Sequence, residues 1–206
     1  MVRKLDPAVT SSLAEAVRRV EDCSCAELVV EVRARSGSYA QADARFAALF
    51  AFIVLLVTLF SAWSFGPVLV AVDVALAYGI GLVLAARSDL VRRLMTTSRE
   101  RAERVRIHAA AAFVERGIAN TSLESGVLLY LSLMERQIDI IADRGVLNAV
   151  PSLEWNQLLV KAKRSEASLD TLLEVVRLLE PLLGSHLPAS SGDRDELPNA
   201  PRFQLE

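Results

Sequence analysis

The sequence has few of the residues from which compact chemical sites are usually built. Among 206 residues there are two histidines and two cysteines, and His108 and His186 stand in unrelated segments. Cys23 and Cys25 are one residue apart, too close to bridge as a loop-closing disulfide. As two ligands they also fall short of the four that close a structural zinc site, so they read as small residues entering a strand. There is no phosphate-cradling glycine loop, no Gly-x-Ser-x-Gly and no histidine cluster, which removes the commonest phosphoryl- and acyl-transfer signatures. An excess of one charge is lacking too: 23 basic against 25 acidic residues leave a net charge of -2, so no global field favours nucleic acid as a partner. No internal repeat is evident. The N-terminus, Met1-Val2-Arg3-Lys4-Leu5-Asp6, has no apolar run behind it and does not resemble a secretory signal.

Apolar residues make up 52% of the chain and the mean hydropathy is +0.34, with the excess concentrated in the middle. From Phe46 to Phe65 there is no charged residue, and from Pro67 to Ala86 a second run is broken only by Asp73 and ends at Arg87. Each run has about the length that crosses a hydrocarbon core. The turn residues Ser64-Phe65-Gly66-Pro67 predict a tight antiparallel hairpin. Arg33, Arg35 and Arg45 precede the hairpin, Arg87, Arg92 and Arg93 follow it, and its turn has no basic residue. The positive-inside rule then predicts a two-pass membrane protein, with both flanking segments in the cytoplasm and Trp63 and Phe65 at the outer interface.

Small residues at helical spacing, Ala47 and Ala51 in the first run and Gly81 and Ala85 in the second, predict close approach of the two helices. The same fold-back sets Thr58 opposite Asp73, an expected hydroxyl-to-carboxyl hydrogen bond. Asp73 lies about 9 Å of helix rise beyond Pro67 at about 1.5 Å per residue. An acid at that depth invites a proton- or cation-relay reading, but neither run holds a second acidic or basic residue to pass charge to, and a structural or oligomer-contact role is the simpler one.

The flanks carry a different pattern. Ser12-Leu13-Ala14-Glu15 has capping-box form ahead of the stripe Leu13, Ala16, Val17 and Val20, which predicts an amphipathic helix. Residues 26–32, Ala-Glu-Leu-Val-Val-Glu-Val, predict a strand. Beyond the hairpin, Ala102, Val105, Ala109, Ala112 and Phe113 form a helical stripe that Gly117 ends. Strands are predicted over 125–133 and 137–142, joined through Met134-Glu135-Arg136. Thr121-Ser-Leu-Glu124 also has capping-box form, but strand-like residues follow it. Ser152 is expected to cap a helix with Trp155, Leu158 and Leu159, and Leu169, Leu172, Leu173, Val176 and Leu179 predict a last helix ending near Pro181 and Gly184. The expected fold is therefore α/β, a small mixed sheet flanked by helices and interrupted by a two-helix transmembrane hairpin. Its parts are residues 1–45, the hairpin 46–86, residues 87–185, and a mobile tail 186–206 containing Pro188, Ser190, Ser191, Gly192, Asp193, Asp195, Pro198 and Pro201.

Taken in order, Ser24-Cys25-Ala26-Glu27-Leu28-Val29-Val30, Ala111-Ala112-Phe113 with Gly117-Ile118, Gly126-Val127-Leu128-Leu129, Glu135-Arg136 and Asp143-Arg144-Gly145 resemble the TPM domain, a small α/β family of bacteria and chloroplasts. The likeness covers most of residues 8–185 outside the hairpin, and it is the order and spacing that carry it. It implies a helix-flanked mixed sheet with the hairpin as an insertion, unlike members that are soluble or carry a membrane helix at one terminus. It also implies two kinds of role: assembly or repair of membrane complexes, and an acid-phosphatase activity associated with calcium in a plant relative. There is no transit-like segment, and the high alanine and arginine content fits a bacterial source.

Acidic residues at the predicted strand ends, Glu27, Glu135, Asp139 and Asp143, are the candidate metal ligands. Calcium would need about six or more oxygens, and the spacing is not that of an EF-hand loop. Arg136 and Arg144 suit either these carboxylates or a phosphate, while surface salt bridges are the ordinary use of such residues. The leading expectation is a non-catalytic membrane-tethered module, in contact with the bilayer and with another membrane protein. A metal-assisted phosphoester hydrolase is the alternative, and proton or ion movement through an oligomer of hairpins, resting on Asp73, is a third. His108 is expected to pack at a helix edge, and Trp155 to anchor a core.

Overall fold

The computed structural model describes residues 7–190, 197 and 200–205. Ser191, Gly192, Asp193, Asp195 and Pro198 of the expected tail lie outside the described residues. The element order is α1 (Pro7–Cys23), β1 (Glu27–Arg33), α2 (Ala40–Leu59), α3 (Pro67–Ala86), α4 (Asp89–Leu94), α5 (Ser98–Glu115), a 3-10 turn (Ile118–Asn120), β2 (Gly126–Ser132), β3 (Gln137–Ala142), α6 (Arg144–Ala149), α7 (Ser152–Arg164), α8 (Leu169–His186) and β4 (Arg202–Gln204). The chain forms two compact units, Met1–Ser36 with Ala102–Glu206, and Gly37–Arg101.

In the first unit the sheet order is β3-β2-β1-β4. β1 runs parallel to β2 and β4, and β2 runs antiparallel to β3. Alternation along each strand sends Leu28, Val30, Val32, Val127, Leu129, Leu131, Ile138 and Ile140 to one face, where they meet α1, α7 and α8 through residues such as Leu13, Val20, Trp155, Leu158, Leu172 and Leu179. The other face carries Val29, Leu128 and Tyr130 and is covered by Val105, Ala109, Ala112 and Phe113 of α5. β2 is buried along its whole length, as a nearly continuous apolar strand requires. Gly117, at φ +71°, ends the α5 segment in the left-handed conformation that glycine adopts without steric cost.

Three expectations change here. The helix of Leu13 begins at Pro7, so Ser12 lies inside it and caps nothing. α8 runs through Pro181 to His186; the proline costs one backbone hydrogen bond, and burial of Leu179 and Leu183 on either side of it holds the helix together. The tail is not structureless throughout: Arg202–Gln204 pairs with Glu31–Arg33 and Pro188 bridges Ser24. The backbone donors and acceptors of an edge strand outweigh the tail's weak apolar pattern.

The second unit is built the other way round. α2 and α3 are each 20 residues long and apolar enough to cross a membrane. Their buried positions are small: Ala42, Ala47 and Ala51 on α2, with Asp43 beside them, and Ala77, Gly81 and Ala85 on α3. A Cβ on Gly81 would lie 2.8 Å from the Ala47 Cα, whereas one on Gly79 would meet nothing. Leu49, Phe52, Ile53, Val57, Val68, Leu76 and Ile80 are exposed. The first helix starts earlier than its charge-free run, at Ala40, and ends at Leu59. The connection is therefore the seven residues Phe60 to Gly66, longer than the expected four-residue turn, with Trp63 and Phe65 in ring contact inside it.

Candidate functional site

Strand alternation puts Glu27, Glu31 and Arg33 of β1, Tyr130 and Ser132 of β2, and Asp139 of β3 on the face beneath α5. Glu31 is 0% exposed. Its carboxylate accepts from the Nε of Arg33 at 2.6 Å and from the Nε of Arg116, in the turn after α5, at 3.3 Å. The Arg33 guanidinium also stands 6.0 Å from the centre of the Tyr130 ring. Both arginine side chains keep about a quarter of their surface in solvent, 22% and 25%. Each guanidinium spends its Nε proton on Glu31 and retains four further donors, for which neither arginine has a hydrogen-bond partner among the described residues. β4 adds a third cation. Arg202 is in register with Glu31, and its neighbour Phe203 packs into the opposite core, so Arg202 stands on the face of Glu31. One buried carboxylate is thus shared by two guanidinium groups, with Arg202 on the same face of the neighbouring strand, an arrangement that can hold and orient a carboxylate or phosphate group.

Beside it lies a fully hydrogen-bonded buried network. Glu135, 2% exposed, accepts from the Ser36 backbone N–H at 2.7 Å and from the Ser132 hydroxyl. The Ser36 hydroxyl donates to Ser132 Oγ at 2.9 Å and shares a hydrogen bond with the Tyr130 hydroxyl at 3.0 Å. Burial pushes the Tyr130 phenol up from its ordinary range, with the Ser36 hydrogen bond opposing. The network fastens the end of the β1 segment to the β2–β3 turn, where Arg136 adopts φ +52°. Each oxygen of Glu135 is already taken by a donor.

The structure does not bring the four expected metal ligands together. Glu27 and Asp143 lie at one end of the sheet, since Gly126 is in register with Glu27 and accepts from Asp143 N. Glu135 sits in the turn at the other end, separated by a six-residue strand of about 20 Å at about 3.4 Å per residue. Glu27 accepts from Leu197 N at 3.3 Å. Asp143 caps α6 through Arg144 N at 2.7 Å. Asp139 sits opposite Tyr130, 3.8 Å from Lys163 Nζ, and burial raises its carboxyl pKa against the pull of that lysine. Among the described residues no three side chains of histidine, cysteine, aspartate or glutamate converge where a metal could sit. Strand ends do not share one place: Asp139 lies within β3 and Asp143 beyond its far end, a strand's length from the turn that holds Glu135. Arg136 and Arg144 pair instead with Glu166 and Glu124.

In the hairpin unit, Thr58 Oγ1 donates to the Val54 carbonyl at 2.9 Å, not to Asp73. A hydroxyl satisfied one turn back on its own helix needs no partner across the pair. The polar contact of this unit lies elsewhere: Arg92 makes two 2.9 Å hydrogen bonds to the two carboxylate oxygens of Asp43, both residues being buried. Sequence reasoning missed Glu31, Arg116, Arg202 and Ser36 in the sheet unit. A signal existed for the first, because Glu27, Glu31 and Arg33 all fall on the odd-numbered face of a strand whose other residues are apolar; Arg116 and Arg202 reach the site only through tertiary folding.

No protein-family model matches the chain, and neither does any curated protein. Among solved structures it is similar to the NMR structure of the BA42 protein from the psychrophilic bacterium Bizionia argentinensis, at 15% identity and a TM-score of 0.56, over 98% of this chain and 96% of that one. At that identity the likeness is one of fold.

Proposed function

We propose that the protein is a membrane-anchored, TPM-like interaction or assembly module. Residues 37–101 cross a bacterial inner membrane twice, and the α/β unit receives an anionic group of a membrane-protein partner on its arginine-rimmed face. One observation carries the reading: the hairpin buries alanine and glycine and exposes leucine, isoleucine, valine and phenylalanine. Apolar surface on that scale is costly in water and costless in lipid. A cytoplasmic position for the α/β unit is supported by the arginines that flank the hairpin and are missing from its connection. At the site, guanidinium groups bind and orient an anion, while Glu31, already shared by two arginines, is poorly placed to attack one.

The test is photo-crosslinking in native membranes from Glu115, which is exposed beside Arg116. The expected result is an adduct to a discrete membrane protein that disappears in the Arg33→Gln/Arg116→Gln variant. An adduct that persists in that variant, or none at all, overturns the site reading. The orientation is checked with an impermeant thiol reagent on single cysteines at Ser64 and Ser190 in a cysteine-free background; labelling at Ser64 alone is expected, and labelling at Ser190 alone reverses the topology.

A further inference from the structure

The second span does not pass directly into solvent. α3 ends at Ala86, and α4 starts three residues later at Asp89, capped by Ser88 Oγ accepting from Val91 N at 3.3 Å. α4 belongs to the hairpin's own compact unit and packs against both α2 and α3. Its rotation about its axis is fixed by one residue. Arg92 is turned inward and held by both oxygens of Asp43 in the first turn of α2, and its carbonyl is capped by the Thr96 hydroxyl at 2.7 Å. At about 100° per residue, Leu90 and Leu94 each lie about 200° from Arg92, on the side facing away from the hairpin. They are 59% and 70% exposed.

Two leucines one turn apart, presented outward by a buried ion pair, forgo about 1.5–3 kcal/mol each while they face water. The adjacent surface is basic. Arg87 and Arg99 are exposed and Arg93 is half-buried, and none of the three has a salt-bridge partner among the described residues. An apolar stripe bordered by arginines, continuous with the end of a membrane span, has the chemistry of a helix lying in the headgroup layer.

We infer that α4 is an interfacial helix seated on an anionic bilayer. Leu90 and Leu94 enter the boundary between headgroups and acyl chains, and Arg87, Arg93 and Arg99 take lipid phosphates. The Asp43–Arg92 pair sets the rotation that presents the leucines. The inference rests on the membrane reading above, and the experiment separates the two.

The full chain, with Cys23→Ala and Cys25→Ala, is reconstituted in nanodiscs of phosphatidylcholine and phosphatidylglycerol. A polarity-sensitive fluorophore is placed on Leu94→Cys in α4, on Leu76→Cys in α3 or on the exposed Leu147→Cys of the α/β unit. Quenching is read with lipids brominated either near the headgroup end or near the methyl end of the chain. At position 94 most of the emission should be lost to the shallow quencher and little to the deep one; at 76 the order reverses, and at 147 neither acts. Removing phosphatidylglycerol should shift the position 94 emission to the red. If 76 is quenched at depth and 94 by neither lipid, α4 stands off the membrane, and this inference fails while the spans stand. Protection of 94 from labelling in native membranes, without quenching in nanodiscs, would assign the stripe to a protein partner and overturn it equally. If 76 is unquenched, the membrane reading itself falls.

Discussion

The two units of this chain solve opposite packing problems. In the sheet unit the largest side chains are inside: Leu28, Leu129, Tyr130, Leu172 and Leu179 are fully buried. Along α2 and α3 of the hairpin unit the buried apolar residues are alanine and glycine and the large apolar side chains are outside. Burying apolar surface away from water drives the first. In a bilayer, the medium proposed for the hairpin, there is no such gain, and helices associate through close backbone approach and interhelical contacts, for which small residues are needed. The two buried ion pairs differ as well. Glu31 is shared by two half-buried arginines within a mixed polar face, whereas Asp43 and Arg92 satisfy each other one to one, through both carboxylate oxygens.

The contrast breaks most visibly at that pair. Arg92→Leu leaves the Asp43 carboxylate buried without its partner and is expected to cost about 3–5 kcal/mol, with Asp43→Leu/Arg92→Leu recovering most of the loss; unfolding of the micellar protein by increasing SDS fraction measures both. Equal loss in the single and double variants would show that the ion pair is not the cause.

Leucine truncation sharpens the comparison next. Leu129→Ala, in the sheet core, should cost about 2–5 kcal/mol, and Leu76→Ala, on the outer face of α3, within about 0.5 kcal/mol. Equal costs in thermal or denaturant unfolding would mean that the outer face of α3 packs on protein.

A smaller effect separates two glycines of one helix. Gly81→Val drives a side chain into the Ala47 backbone and should destabilise the hairpin by about 1–3 kcal/mol, while Gly79→Val, in open space, should leave the SDS midpoint unchanged. A reversed order would place the helix contact on the wrong face of α3.

The smallest expected effect is a pH dependence at Asp139. Burial holds its folded-state pKa above the unfolded value, against the pull of Lys163. Between the two pKa values the folded state binds more protons, so this residue lowers stability as pH rises through that acidic window and leaves a constant penalty above it. Asp139→Asn should therefore flatten the window and leave the protein no less stable at neutral pH. A steeper acid dependence in the variant would show that the lysine contact outweighs burial.

Much of this architecture is local and was readable in order. Long apolar runs, β-branched strands bounded by polar residues, and a glycine closing α5 each act over a few residues, so the second apolar helix, Pro67–Ala86, and the third strand, Gln137–Ala142, coincide with the pattern. The start of α2 was less legible because Asp43 and Arg45 look like the end of a polar approach. They are helical because Asp43 finds Arg92, 49 residues further on. β4 escaped for the same reason: three residues with weak periodicity become a strand only where β1 supplies an unpaired edge. α4 is too short for periodicity to reveal.

What the amino-acid order determined by itself is the inside-out contrast, since the placing of large, small and charged residues along each segment already sets which side chains can lie between neighbouring elements. What only the tertiary structure decided is which charges meet. Glu31, Arg116 and Arg202 are scattered over 172 positions, and Asp43 is distant from Arg92. A parallel crossover, an added edge strand and a fold-back of two helices bring them within hydrogen-bonding or register distance. Hydrogen bonds need contact, and charge attraction weakens with distance and is screened by salt, so these pairings depend on separation in space, which local sequence pattern does not encode.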